Sequence, residues 1–128
     1  MQQLLFLILA GILGTLSRYG LGGLMQRLTG TAFPYGTLLI NILGCLAIGY
    51  VMQVALTTDL IPPNIRVVIT VGFIGSFTTF STFSYETMKL FEDGALVSAM
   101  VNIASNVGLG LFATFCGMLL GKITLGGV

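Results

Sequence analysis

The fifteen residues Gly72-Phe73-Ile74-Gly75-Ser76-Phe77-Thr78-Thr79-Phe80-Ser81-Thr82-Phe83-Ser84-Tyr85-Glu86 decide how this chain is read. They end an apolar stretch that begins at Val67, yet six of the nine residues from Ser76 to Ser84 carry hydroxyls and the other three are Phe. Gly, Ser and Thr are weak helix formers, and hydroxyls can replace freed backbone partners. The composition therefore predicts a helix broken between Gly75 and Thr79. A helix broken at membrane depth exposes carbonyl and N–H groups, which is how membrane proteins build small-ion sites. Beyond the break, Ser81 and Ser84 share one helical face, as do Phe80 and Phe83.

The surrounding chain supplies the membrane. Of 128 residues, 55% are apolar and only nine are charged, and mean hydropathy is +1.04, whereas soluble domains carry roughly a quarter charged residues. A soluble globular protein and a disordered one are excluded. A net charge of +1 with no basic run also excludes nucleic acid as a partner. The charges delimit four apolar stretches: Met1 to Ser17, Leu28 to Thr58, Val67 to Tyr85 and Gly94 to Gly121. About 20 such residues cross ~30 Å of hydrocarbon. The expectation is an all-α membrane protein, one domain over 1–128, with four transmembrane helices at about 3–25, 36–57, 66–90 and 95–121. The first segment, MQQLLFLILAGILG, lacks the basic start and the small-residue cleavage site of a signal peptide, so it reads as the first span. Thr29-Gly30-Thr31 with Pro34, Asp59 with Pro62-Pro63-Asn64, and Glu92-Asp93-Gly94 supply the turns.

Orientation follows from the excess of Lys and Arg on the cytoplasmic side. Here one face carries Arg66 and Lys122 and the other Arg27 and Lys89, and Arg18 barely tips the count. Two readings follow: a weakly biased protein inserted one way, or dual topology with antiparallel pairing, which the balance favours. Four helices do not easily enclose a pathway, so a dimer or larger assembly is expected. Small residues line helix 4 (Ser98, Asn102, Asn106, Gly110, Gly117, Gly121), helix 1 (Gly11, Gly14, Ser17) and helix 2 (Gly44, Gly49). Such stripes let backbones approach and are common in membrane bundles.

Polar side chains at membrane depth are the functional candidates. Asn41 lies among aliphatics in GTLLINILG, either as an interhelical hydrogen bond or as part of a pathway. Arg18, near a helix end, can snorkel to the interface. Glu86 lies three residues from Lys89, the spacing of a surface ion pair. There is no paired carboxylate, cationic cluster or imidazole-thiolate set, and no nucleophile-and-base pair, so no enzyme is expected. Cys45 and Cys116 read as small packing residues. Hydroxyl donors, an amide and phenyl rings suit a small anion better than a cation, because the ring edge is the positive part of the aromatic quadrupole. The same residues also make ordinary helix packing.

These segments carry a resemblance. GFIGSFTTFSTFSYE of helix 3 resembles the signature of the Fluc, or CrcB-like, family of fluoride channels. GTLLINILG of helix 2 and GILGTLSRYGLG of helix 1 resemble its other two marked stretches, in the same order. Family members are antiparallel dual-topology homodimers of the bacterial inner membrane with two fluoride pathways. The resemblance implies Asn41 as a pore-lining amide and Phe80 and Phe83 as the rings whose edges approach fluoride. Ser81, Thr82, Ser84 and Glu86 would form the polar side, and Arg18 would match the family's arginine near the end of helix 1. It also implies a central sodium ion as cofactor, held by the backbone carbonyls of Gly75 and Thr78 from both subunits, and passive fluoride export that relieves toxicity. Ile74 and Ser76 stand where relatives often have Cys and Gly, and Cys45-Leu46 where Ser-Phe is common. Asn102, Ser105 and Asn106 are left as packing or pathway.

Two other classes fit parts of the chain. A small proton-coupled multidrug exporter would share length and charge balance, but calls for a membrane-embedded Glu in helix 1 and usually Trp, both missing here. A non-transporting assembly subunit would use the small-residue stripes and leave the hydroxyl-rich helix 3 without a purpose.

Overall fold

The computed structural model describes residues 1–126. Within them the chain is all helical: α1 (Gln2–Thr29), α2 (Tyr35–Thr57), α3 (Pro63–Val67), a π-helical stretch (Val68–Ile74), α4 (Gly75–Phe77), α5 (Phe80–Glu92) and α6 (Leu96–Thr124). Four units are long and apolar enough to cross a membrane: α1, α2, the composite span Pro63–Glu92, and α6. α1 runs four residues beyond the expected end near residue 25, because the stop signal is Gly30. Its positive φ of 77° is one that glycine adopts freely, and its N–H bonds the Gln26 carbonyl.

Glycine contacts set the packing. α2 and α6 lie backbone to backbone. A Cβ on Gly49 would strike the Thr114 carbonyl, and one on Gly117 would strike the Leu46 carbonyl and lie 2.8 Å from the Tyr50 nitrogen. α1 approaches the third span in the same way, with Gly14 against the Phe73 carbonyl and Gly72 against Ala10. Bundles in lipid are held by such van der Waals contact rather than by a hydrophobic drive between helices. Ser17, expected on the α1 stripe, instead faces outward. Large apolar side chains cover the exterior, including Leu13 and Leu16 on α1 and Leu111, Phe112 and Phe115 on α6.

The third span is irregular where its sequence is richest in Gly, Ser and Thr. The π-helical stretch leads into the single turn α4. Thr78 (φ −79°, ψ 158°) and Thr79 (φ −149°, ψ 116°) are then extended, and α5 begins at Phe80. Thr79 caps α5, its Oγ1 accepting from the Thr82 N–H at 3.2 Å.

Candidate functional site

The Thr78 N–H still bonds the Ile74 carbonyl at 3.0 Å, but extending Thr78 and Thr79 interrupts the helical hydrogen-bond ladder beyond it, so each freed group needs another partner. The Thr79 N–H, which would serve the Gly75 carbonyl in an unbroken helix, donates to Asn41 Oδ1 at 2.9 Å. Asn41 Nδ2 donates back to the Thr79 carbonyl at 3.2 Å, so one side chain of α2 grips both polar groups of one extended residue. The Thr82 N–H, diverted to Thr79 Oγ1, leaves the Thr78 carbonyl, which accepts from Arg18 Nη1 at 3.3 Å.

A cleft of about 380 Å³ opens beside this turn, lined by Asn41, Gly44, Cys45, Gly75, Thr78, Thr79, Phe80, Phe83 and Asn106 among others. Phe80 stands 79% exposed and Phe83 only 8%, with ring centroids 5.5 Å apart and planes tilted by 56°. The structure thus gathers Asn41, Phe80, Phe83, Gly75 and Thr78 around one opening, with Arg18 reaching it from α1.

The remaining candidates lie off the cleft. Ser81 Oγ is 3.3 Å from Thr79 Oγ1, and Thr82 Oγ1 accepts from the same hydroxyl at 3.0 Å, so both cluster at the start of α5. Ser84 Oγ turns back to the Phe80 carbonyl at 2.9 Å. Glu86 corrects one expectation. It forms no ion pair with Lys89 but turns toward α2 and accepts from Thr37 Oγ1 at 2.8 Å. Lys89 instead pairs with Glu92 (3.7 Å) and Asp93 (3.1 Å) at the exposed end of α5. The reason is helical phase: Glu86 lies three residues after buried Phe83, on the face turned inward. Its Oε2 is buried without a hydrogen-bond partner among the described residues.

Reasoning from sequence left several residues without a role. Asn106 meets Asn41 at 2.9 Å. Asn102 is fully buried and bonds Thr87 at 2.9 Å. The available signal was two amides four residues apart in an apolar span, which places them on one face without naming that face's neighbour.

The chain is thus a small polytopic α-helical membrane protein with an amide- and phenyl-lined cleft beside the extended residues Thr78 and Thr79. It belongs to the CrcB-like family: the family model described as "CrcB-like protein, Camphor Resistance (CrcB)" matches residues 5–118. The Fluoride-specific ion channel FluC of Geobacter sp. (strain M21) is 48% identical over 122 residues, covering 95% of this chain and 98% of that protein. The protein of the same name from Citrifermentans bemidjiense is 46% identical over 122 residues, with the same coverage. That of Dehalococcoides mccartyi (strain BAV1 among others) is 46% identical over 123 residues, covering 96% of this chain and 95% of that protein. The family is one of channels rather than enzymes, and the chain is a multi-pass integral protein of the bacterial inner membrane.

Proposed function

We propose that the chain forms a fluoride-selective channel, an antiparallel homodimer of dual topology through which fluoride leaves the cytoplasm passively and its toxicity falls. The observation that carries this reading is the exposed Phe80 ring at the mouth of the cleft, tilted against Phe83 beside the extended Thr78–Thr79 turn. Tilted rings present edges, the electropositive part of the quadrupole, without introducing a fixed cation that would trap the ion. The N-terminal end of α5 opens onto the same turn, and its dipole favours an anion there. Names of the relatives and the near-balanced Lys and Arg count support the same reading. A second copy would cover the open side of the cleft and the exposed Phe80.

Asn41 serves the pathway in this reading by holding the turn, since both its amide protons are engaged by Thr79 and Asn106. Ser81, Thr82, Ser84 and Glu86 supply the polar continuation along α5. The residues also fit the sodium ion that the family resemblance implies. Helix interruption removes the N–H partners of the Gly75 and Thr78 carbonyls, because Asn41 and Thr79 take those donors. Two uncharged oxygens per chain, four in a pair, suit a hard cation. When bound, sodium would tie the two subunits together through these oxygens. Arg18 occupies one lone pair of the Thr78 carbonyl and leaves the other.

The test is fluoride efflux from liposomes carrying the purified protein and a potassium ionophore, against chloride-loaded controls. Rapid release of fluoride alone is expected. No release from vesicles shown to hold folded dimer would return the chain to the exporter or assembly-subunit classes.

A further inference from the structure

The side chains that meet Asn41 form a hydrogen-bonded chain with a fixed direction. An asparagine amide has an oxygen end that accepts and a nitrogen end that donates, and either end fits most sites sterically. Here the ambiguity is removed from both ends by backbone groups that have no choice.

The far end is the Phe83 carbonyl, which can only accept. Thr87 Oγ1 donates its single proton there at 2.7 Å, inside a buried stretch of α5. The hydroxyl oxygen can then only accept, so it must face a nitrogen, and Asn102 Nδ2 donates to it at 2.9 Å. Asn102 Oδ1 is thereby turned to Asn106, whose Nδ2 donates to it at 2.9 Å and to the Asn102 backbone carbonyl at 3.0 Å. Asn106 is left to offer Oδ1, and Asn41 Nδ2 donates to it at 2.9 Å. At the near end the Thr79 N–H can only donate, and it meets Asn41 Oδ1. Every link agrees. Turning Asn102 around would set its oxygen against a hydroxyl with no proton to give and its nitrogen against another nitrogen. A network in which every side-chain nitrogen and oxygen has at least one partner favours one arrangement.

We propose that Thr87, Asn102 and Asn106 are positioning residues for the ion pathway, a one-way relay that runs from the Phe83 carbonyl to Asn41 and thereby holds Thr79 extended and Phe80 at the cleft. The proposal rests on the channel reading above. Its particular consequence is that Thr87, buried in α5 and outside the cleft, governs conduction through four successive hydrogen bonds.

Thr87→Val keeps the shape and removes the hydroxyl, whereas Thr87→Ser keeps the hydroxyl. In reconstituted full-length protein, Thr87→Val should lower fluoride efflux per assembled dimer by about tenfold, the scale of one buried network bond, and Thr87→Ser should restore it. A role in packing alone would change yield or melting, and the slightly smaller Ser would not rescue. The second readout is nuclear magnetic resonance of protein labelled with nitrogen-15 at its four asparagines. In the wild type, the side-chain amides of Asn41, Asn102 and Asn106 should exchange with water far more slowly than that of exposed Asn64, and Thr87→Val should shift and deprotect the Asn41 pair. Wild-type Asn41 protons that exchange as fast as those of Asn64 would overturn the relay without any variant. Unchanged flux in a folded Thr87→Val dimer would overturn its part in conduction. A wild type without fluoride flux sinks the channel reading and the conduction role together, while the relay itself is still judged by the amide exchange.

Discussion

Gly44 of α2 faces the extended turn so closely that a Cβ there would overlap the Thr78 methyl, with Thr78 Cβ at 3.5 Å and Phe77 Cδ1 at 3.6 Å. Thr78 has little room to yield. Its hydroxyl is tied to the Ile74 carbonyl at 3.1 Å, and rotating the methyl away breaks that bond or swings the oxygen into the same space. Gly44→Ala must therefore push α2 from the third span or move Thr78. Forcing a methyl group into a packed site costs about 1–3 kcal/mol. If the displaced turn is the conducting one, that penalty corresponds to roughly a 5–150-fold loss of flux. Gly23→Ala is the control, because its Cβ meets nothing within 4 Å. There the better helix propensity of Ala, about 1 kcal/mol, should hold or raise the melting temperature. The assay pairs fluoride efflux per reconstituted dimer with thermal melting in detergent. Wild-type flux and melting in Gly44→Ala would refute the close approach of α2 to Thr78 and the importance assigned to the turn.

Three further outcomes follow from other contacts. Phe80→Ile removes a ring that packs little within its own chain and leaves an apolar side chain of similar bulk in its place, so fluoride flux should drop sharply while size-exclusion chromatography still shows an assembled dimer; full flux would defeat the ring-edge role. Thr79→Val deletes the cap of α5 and should lower stability by about 1 kcal/mol, read as a lower melting temperature, with Thr79→Ser close to wild type. Gly117→Ala sets a Cβ against the α2 backbone at Leu46 and Tyr50, where no side chain can rotate away, so folded protein recovered from membranes should fall well below wild type, whereas Gly108→Ala, facing open space, should be recovered normally.

The parts of the structure legible in sequence are those governed by local composition. Charge spacing gives four spans because the bilayer sets a minimum apolar length, and Gly30 shows why it misses the end of α1: Gln26, Arg27, Leu28 and Thr29 continue a helix readily until a glycine takes up a positive φ. The Gly, Ser and Thr run from Gly75 drew attention to the segment in which Thr78 and Thr79 are extended. Partnerships across helices were not legible. The inward turn of Glu86 to Thr37 depends on the phase of α5 after the extended pair, and that phase is visible only in three dimensions. Sequence places Asn102 and Asn106 on the helix 4 stripe as packing or pathway, and their meeting with Thr87 and Asn41 depends on how α6 lies against α5 and α2. The π-helical stretch left no sequence mark that separates it from ordinary apolar helix.

That stretch makes chain length a functional quantity. A π turn closes on the fifth residue ahead where an α turn closes on the fourth, so it absorbs about one extra residue. Removing one residue between Val68 and Ile74 would let the segment relax to an ordinary helix with the phase of everything beyond it nearly kept, whereas removing one from a regular α-helical turn would rotate everything beyond it by about 100°. Only after a deletion of the second kind would Thr79 swing from Asn41 and Phe80 point elsewhere. An insertion or deletion in the connector around Gly30 changes only a loop. A one-residue deletion near Thr70 is likewise absorbed without rotating the pathway lining, so natural shortening in this family should gather in the connectors, at the termini and in these seven residues, and spare the regular helix between Phe80 and Glu92.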